Sequence, residues 1–185
     1  VRLWVDSVEG LLGLVEMDVV EIHPWGATID HIERPDMLVL GLDPGDGVEW
    51  SFVVDAALRM RALLRDEDLD SWPKLTGGKG VHIMVPIEPD LDWDELRRYG
   101  QALAERLAAT APARYVTEAA RDKRHGKLFI DWLLNGRGKT AIGAYSPRAR
   151  PGFPVAAPIT WAELERGMRS DAYTIFRPPP RPKTR

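Results

Sequence analysis

The chain has 185 residues, no cysteine and a hydrophobic content of 44%, with 25 Lys and Arg residues against 28 Asp and Glu residues. This composition is typical of one globular domain, and it excludes disulfide scaffolds, cysteine-ligated metal sites and thiol catalysis. No apolar run reaches the roughly 18 residues that a membrane-spanning helix needs, the first residues do not form a signal peptide, and the lack of cysteine favours the cytoplasm.

The net charge of −3 conceals two halves of opposite sign. Residues 1–72 carry 16 acidic and 5 basic side chains, whereas residues 73–185 carry 12 acidic and 20 basic side chains. The basic half indicates a polyanionic partner, and the acidic half can supply carboxylates for a divalent metal. Charge alone leaves open the alternative that both halves carry only solvated charge.

Hydrophobic periodicity predicts an α+β fold. In chain order, the predicted elements are a helix at Ser7–Met17, a strand at Val19–His23, a strand at Met37–Leu40, a helix at Ser51–Arg65, a strand at Val81–Pro86, a helix from Asp92 to Thr110, strands at Tyr115–Thr117, Lys127–Leu133 and Thr140–Tyr145, and a helix after Thr160. Three consecutive late strands favour antiparallel pairing, so we expect a mixed, largely antiparallel sheet with flanking helices.

The helix starts carry recognisable capping residues. Ser7 is a suitable N-cap, and the D-x-x-E pattern at Asp92 and the T-x-x-E pattern at Thr160 each predict a capping box. We expect one domain over residues 1–176. The basic, proline-rich segment 177–185 is predicted to be a tail or linker, because proline removes backbone donors and favours an extended conformation.

The segment Lys74–His82 combines glycines with cationic and hydrogen-bonding side chains. Three glycines within four residues allow close backbone approach, while Lys79, Thr76 and His82 supply charge and hydrogen bonds. These are components of a phosphate-binding loop, although the spacing is not that of a Walker A motif. The alternative is a flexible glycine-rich turn.

Two aspartates interrupt apolar strand patterns. Asp43 follows the buried run that ends at Leu42, and Asp131 interrupts the run Leu128–Leu133. An ionised carboxylate in such a position needs a metal, a base or water, although each aspartate alone could be a turn or edge residue. A carboxylate pair beside a phosphate-binding loop is the arrangement that metal-assisted nucleotidyl transfer requires.

Six motifs together resemble the polymerase domain of bacterial ATP-dependent DNA ligase D, a member of the archaeo-eukaryotic primase superfamily. They occur in the same order and spacing, and they are Glu21–Trp25, Arg34–Asp36, Leu42–Gly45, Lys74–His82, Asp131–Asn135 and Tyr145–Gly152. The match covers residues 5 to 176, and it implies a primase-polymerase-like core that lacks the family's N-terminal portion.

The resemblance implies a template-directed polymerase that adds nucleotides, preferably ribonucleotides, to DNA ends during non-homologous end joining. It implies Mn²⁺ or Mg²⁺ as cofactor, nucleoside triphosphates and 5′-phosphorylated DNA ends as ligands, Ku and ligase or nuclease domains as further partners, and a location at the bacterial nucleoid. In this family Asp43 and Asp131 match metal-binding catalytic aspartates. The residues that match or belong to its nucleotide site are His23, Thr76, Lys79, His82, Arg148 and Arg150.

Two positions depart from the family pattern. Gly41 stands where the family has the first aspartate of D-L-D-P, and Leu134 stands where it has arginine. Two function classes therefore remain open: a metal-dependent nucleotidyltransferase, intact or weakened, and a catalytically inactive module that binds a nucleotide or a DNA end. Primer extension on a gapped or overhanging duplex distinguishes them.

Overall fold

The computed structural model describes residues 3–180, which form one six-stranded sheet with four α-helices. The elements are α1 (Val8–Glu16), β1 (Met37–Pro44), α2 (Trp50–Arg65), β2 (Trp72–Leu75), β3 (Val81–Pro86), α3 (Trp93–Ala109), β4 (Tyr115–Val116), β5 (Leu128–Asp131), β6 (Ala157–Pro158) and α4 (Trp161–Glu165). The strand order is β4-β5-β1-β3-β2-β6, and the α+β fold predicted from the sequence is confirmed.

Strand β1 separates the hydrophobic core from the opposite face of the sheet. Leu38, Leu40 and Leu42 are fully buried with the apolar faces of α2 and α3. Because side chains alternate along a strand, Gly41 and Asp43 lie on the other face. The core therefore fixes which residues of β1 are presented away from the helices.

One pairing differs from the antiparallel arrangement that we expected late in the chain. β4 and β5 are parallel, with Tyr115 opposite Leu128, whereas β5 pairs with β1 in antiparallel register. The chain between them passes through a 3₁₀ turn at Arg121–Arg124 before it re-enters the sheet from the same end. A connection of this length allows the two strands to run in the same direction.

The predicted strands Val19–His23 and Thr140–Tyr145 do not form; the two segments instead lie side by side with incomplete pairing. Gly143 N–H donates to Ile22 O at 2.8 Å, but Ile22 N–H donates to the Ser146 hydroxyl at 2.9 Å. Pro24 has no N–H to return the bond from Ala141. A regular ladder cannot continue when these donors are missing or used elsewhere.

Two short strands were not predicted, and two predicted strands, β4 and β5, are shorter than expected. β2 and β6 each contain a proline, Pro73 and Pro158, which argues against strand formation from sequence alone. β5 ends at Asp131 instead of continuing to Leu133, because the chain turns into a 3₁₀ helix at Leu133–Asn135.

The amide of Asn135 extends the hydrogen bonding of β1 beyond the end of β5. Its Oδ1 accepts Val39 N–H at 2.7 Å, and its Nδ2 donates to Val39 O at 2.8 Å and to Trp132 O at 2.9 Å. The side chain is almost completely buried. It therefore replaces a strand residue and satisfies two backbone groups of the central strand.

Helix α1 is attached to the rest of the chain through few contacts. Ser7 caps it as predicted, by accepting Gly10 N–H, but Leu14 is its buried residue. The apolar side chains that remain exposed around it include Leu3, Trp4, Val8, Leu12, Val15 and Met17. Within residues 3–180, no helix is both long and apolar enough to cross a bilayer.

The expected tail is described only in part. Arg177 still exchanges backbone hydrogen bonds with Thr174, while residues 178–180 form no helix or strand. Residues 181–185 lie outside the described residues.

We expect Asn135→Ala to destabilise the protein by about 2–4 kcal/mol, because it leaves Val39 N–H and Val39 O buried without partners. Chemical denaturation followed by circular dichroism measures this loss. Gln101→Ala, which removes an exposed amide from α3, is the matched control and should change stability by less than about 0.5 kcal/mol. Equal effects of the two substitutions would contradict the strand-extending role of Asn135.

Candidate functional site

Asp43 and Asp131 lie on neighbouring strands on the face opposite the core. In the β1–β5 register Gly41 faces Asp131 and Asp43 faces Phe129, so the two aspartates are diagonal neighbours. Such neighbours are about 7–8 Å apart, with side chains on the same side of the sheet. A Cβ on Gly80 would overlap Asp43 Oδ1, so glycine at this position leaves room for the carboxylate.

The surroundings of the two aspartates disfavour a second negative charge. Burial, followed by repulsion from Asp131, raises the pKa of Asp43 to about 6, while Arg124 and Arg148 oppose the increase. Burial also raises the pKa of Asp131, although its carboxylate accepts Leu133 N–H at 3.0 Å. A divalent cation would relieve the repulsion within this pair.

The glycine-rich segment forms a compact turn between β2 and β3. The Thr76 hydroxyl donates to Gly80 O at 2.9 Å and accepts Gly78 N–H at 3.2 Å, so this hydroxyl shapes the loop from within. Gly77 has φ of +65°, and a Cβ there would lie 2.9 Å from Cγ of Arg148. Glycine is therefore required both by the backbone conformation and by the approach of an arginine.

Two arginines from the turn before β6 lie against this loop. Arg148 Nη1 donates to Thr76 O at 3.0 Å. Nη1 of Arg148 lies 3.6 Å from the position of a Cβ on Gly78, and Cζ of Arg150 lies 3.8 Å from that position. Two guanidinium groups beside the glycine loop form a surface suited to phosphate oxygens.

His82 lies opposite Gly41 in the β1–β3 register and is buried. Burial, together with the neighbouring positive charges of Lys74, Arg148 and His23, lowers its pKa to about 3, so the imidazole is neutral at physiological pH. Its Nδ1 has no hydrogen-bond partner among the described residues. The adjacent Lys74 donates to Ile142 O at 2.6 Å, and burial lowers its pKa to about 8.

His23 reaches the same region through a carboxylate that the sequence analysis did not assign. His23 Nε2 lies 2.9 Å from Glu21 Oε2, which also lies 3.1 Å from Arg148 Nε. The motif Glu21–Trp25 contained this residue, but nothing in the sequence indicated that it would pair with an arginine 127 positions later.

Lys79 does not converge with the other predicted residues. Its ammonium is exposed and lies 3.4 Å from Asp46, on the turn that follows β1. The structure thus brings together His23, Asp43, Thr76, His82, Asp131, Arg148 and Arg150 on one side of the sheet, and directs Lys79 to the outer side of the glycine loop.

Arg124 is a second residue that the sequence analysis did not assign to the site. It stacks on the Phe129 ring with Cζ 3.7 Å from the centroid, and Nη2 donates to Ala119 O at 2.7 Å. Its positive charge partly opposes the increase in the pKa of both Asp43 and Asp131. The basic run Arg121–Arg124 is a sequence signal, but the run does not indicate which of its members faces the aspartates.

The two departures from the family pattern are in contact. A Cβ on Gly41 would lie 3.1 Å from Asp131 Cβ and 3.5 Å from Leu134 Cδ1. Leu134 thus places an apolar group beside the position where a third carboxylate would project. It also lines a cavity of about 270 Å³ that continues along the same face of the sheet.

The donor set fits one divalent cation and does not fit a pair bridged by three carboxylates. Among residues 3–180, no group of three or more His, Cys, Asp or Glu side chains is placed to hold a metal. Mg²⁺ binds through one or two carboxylates together with water and substrate phosphates, so Asp43 and Asp131 meet that requirement beside the phosphate-binding surface.

Comparisons with known proteins match almost the whole chain. The family model described as LigD, primase-polymerase domain, matches residues 2–185. The multifunctional non-homologous end joining protein LigD of Pseudomonas aeruginosa is 39% identical over 163 residues, which is 88% of this chain and 19% of that protein. The bifunctional non-homologous end joining protein LigD of Bacillus subtilis is 33% identical over 92% of this chain and 28% of its own length.

A solved structure gives the same result at the level of the fold. The polymerase domain of Mycobacterium tuberculosis ligase D in complex with DNA superimposes with a TM-score of 0.80 and 32% sequence identity, covering 87% of this chain and 59% of that one. The chain thus spans less than a third of the two curated relatives and more than half of the solved domain. It belongs to the LigD primase-polymerase domain family.

Proposed function

We propose that this chain adds nucleotides, preferably ribonucleotides, to DNA ends in non-homologous end joining. The observation that carries the proposal is that a half-buried carboxylate pair, Asp43 and Asp131, lies beside a glycine loop faced by two arginines. Family membership supports the same function. The substrates are a nucleoside triphosphate and a 5′-phosphorylated DNA end, with Ku and ligase or nuclease domains as partners and the nucleoid as the place of action.

The residues of the site divide into two tasks. Arg148 and Arg150 hold phosphate oxygens, because guanidinium groups bind anions with defined direction. His82 stays neutral and offers a hydrogen bond without adding charge. Arg124 balances the negative charge of the two aspartates.

Asp43 and Asp131 would hold one Mn²⁺ or Mg²⁺, which when bound supplies a Lewis acid for phosphoryl transfer. We assign one metal ion to this site, because Gly41 offers no side-chain ligand for a second ion. We therefore expect slower addition than a site with three carboxylates would give.

Extension of a primer on a gapped or overhanging duplex with Mn²⁺ tests the function. The parent should extend slowly, and Asp43→Asn or Asp131→Asn should reduce the rate by at least about 100-fold, because each removes a hard oxygen ligand and a negative charge. Asp46→Asn, an exposed aspartate three residues from Asp43, is the control and should leave the rate unchanged. Nucleotide or DNA binding with no extension by the parent would assign the chain to the binding-module class instead.

The affinity for Mn²⁺ should rise about tenfold per pH unit up to pH 6 and level off above it, because the ion competes with the proton on Asp43. Calorimetric titration of Mn²⁺ at several pH values measures this.

Without metal, the raised pKa means that the contribution of Asp43 to stability is largest below its ordinary pKa. The contribution falls by roughly 2–3 kcal/mol as the pH rises from about 4 to 6. Asp43→Asn should abolish that difference, and a pH-independent Mn²⁺ affinity would contradict the assignment.

Gly41→Asp should raise the affinity for Mn²⁺ by about tenfold or more, because the new carboxylate projects beside Asp131 on the same face. The Cβ of Asp131, 3.1 Å from the new Cβ, must give by a few tenths of an ångström to admit it, whereas Leu134 Cδ1 at 3.5 Å is in ordinary van der Waals contact. Gly41→Ala adds the same Cβ without a ligand and is the matched control for this steric effect. Equal Mn²⁺ affinities of the two variants, or fast extension by the parent, would show that the metal-binding carboxylates have been misplaced.

A further inference from the structure

Glu21 contacts three groups, one from its own segment and two from the distant segment before β6. Its Oε2 lies 2.9 Å from His23 Nε2 and 3.1 Å from Arg148 Nε, and its Oε1 accepts Ala149 N–H at 2.9 Å. Burial alone would raise its pKa, but these hydrogen bonds and the Arg148 charge lower it to about 2. The low pKa keeps the carboxylate ionised at physiological pH. The side chain is only 24% exposed, so its partners largely enclose it.

The backbone next to Glu21 is fixed to the same distant segment. Ile22 N–H donates to the buried Ser146 hydroxyl at 2.9 Å, and Gly143 N–H donates to Ile22 O at 2.8 Å. The carboxylate therefore projects from an anchored strand-like segment. This anchoring distinguishes it from an exposed surface glutamate, whose ion pair contributes little.

Arg148 is held from two sides. Glu21 lies at Nε, while Nη1 donates to Thr76 O at 3.0 Å on the glycine loop. The arginine side chain is 18% exposed and crosses directly over Gly77. With Glu21 on one side and Thr76 O on the other, the guanidinium retains few alternative orientations.

We propose that Glu21 is a positioning residue for the triphosphate site, acting through Arg148 and His23 without touching the ligand. This inference rests on the proposed function. The inference predicts a change in anion affinity opposite in direction to the one that charge alone predicts. A carboxylate near a phosphate site opposes anion binding through its charge, so removing that charge should strengthen binding unless its role in orienting Arg148 is larger. The contacts on both sides of Arg148 favour the orienting role.

The experiment measures the affinity of the full chain for ATP with Mn²⁺, and for inorganic tripolyphosphate, by calorimetry. Glu21→Gln preserves size and the acceptor for Ala149 N–H but loses the ionic contact with Arg148. We expect both affinities to fall about tenfold. Glu33→Gln breaks a surface pair in which Arg137 Nε donates to Glu33 at 2.7 Å, and this matched control should leave both affinities within twofold.

A double-mutant cycle tests whether Glu21 acts through Arg148. In an Arg148→Ala background, which should itself bind ATP at least tenfold more weakly, Glu21→Gln should no longer lower the affinity, because the group that it orients is absent. A general structural role would instead lower affinity and melting temperature by similar amounts in both backgrounds. Either that result, or unchanged or tighter binding by Glu21→Gln alone, would overturn the proposal.

Failure of the proposed function gives a different result from failure of this inference. If the parent binds neither ATP nor tripolyphosphate, the nucleotide site itself is wrong, and the role of Glu21 is rejected with it. If the parent binds both and Arg148→Ala weakens them while Glu21→Gln does not, the nucleotide site stands and only the positioning role of Glu21 is rejected.

Discussion

The site depends on strand β1 being hydrogen-bonded along both of its edges. β3 pairs with it from Met37 to Leu42, β5 pairs with it from Gly41 to Pro44, and the Asn135 amide serves Val39 where β5 has ended. A shift of one residue would bring Leu42 to the outer face and Asp43 into the core. Burial of three leucines makes such a shift costly, and the carboxylate is held in place by packing on the opposite face.

The outer face joins groups of opposite charge that come from separate parts of the chain. The sheet supplies Asp43 and Asp131, whereas the arginines come from the segments before β5 and before β6. Their partial compensation explains why the Asp43 pKa rises only to about 6 although burial and Asp131 both raise it. It also explains why a buried site of this charge can exist before any ligand is bound, since an isolated buried charge would be far more costly.

Sequence patterns predicted the features that depend on local physics. The capping boxes at Asp92 and Thr160 form as expected, and the glycine loop lies between two strands and beside Asp43. Family motifs identified the residues that the fold then gathers. These features are readable because periodicity, caps and glycine spacing act over only a few residues.

The remaining features depend on partners that are distant in sequence. Ser146 removes the donor that a strand at Val19–His23 would need, and Asn135 replaces a strand residue with a side chain. The direction of Lys79, the approach of Arg124 and the parallel pairing of β4 likewise follow from how loops return to the sheet. Apart from Arg124, whose partners lie a few positions away, these contacts join residues that no local window of sequence contains.

Helix α1 makes fewer packing contacts with the rest of the protein than the strands that carry the site. It has nine residues, of which Leu14 is buried, and a helix of that length has little intrinsic stability in water. Its amide hydrogens should therefore exchange with solvent through local opening, at a free energy well below that of global unfolding. The opening ends at Ile22, where bonds to Ser146 and Gly143 begin, so the helix can unfold and refold while Glu21 remains beside Arg148.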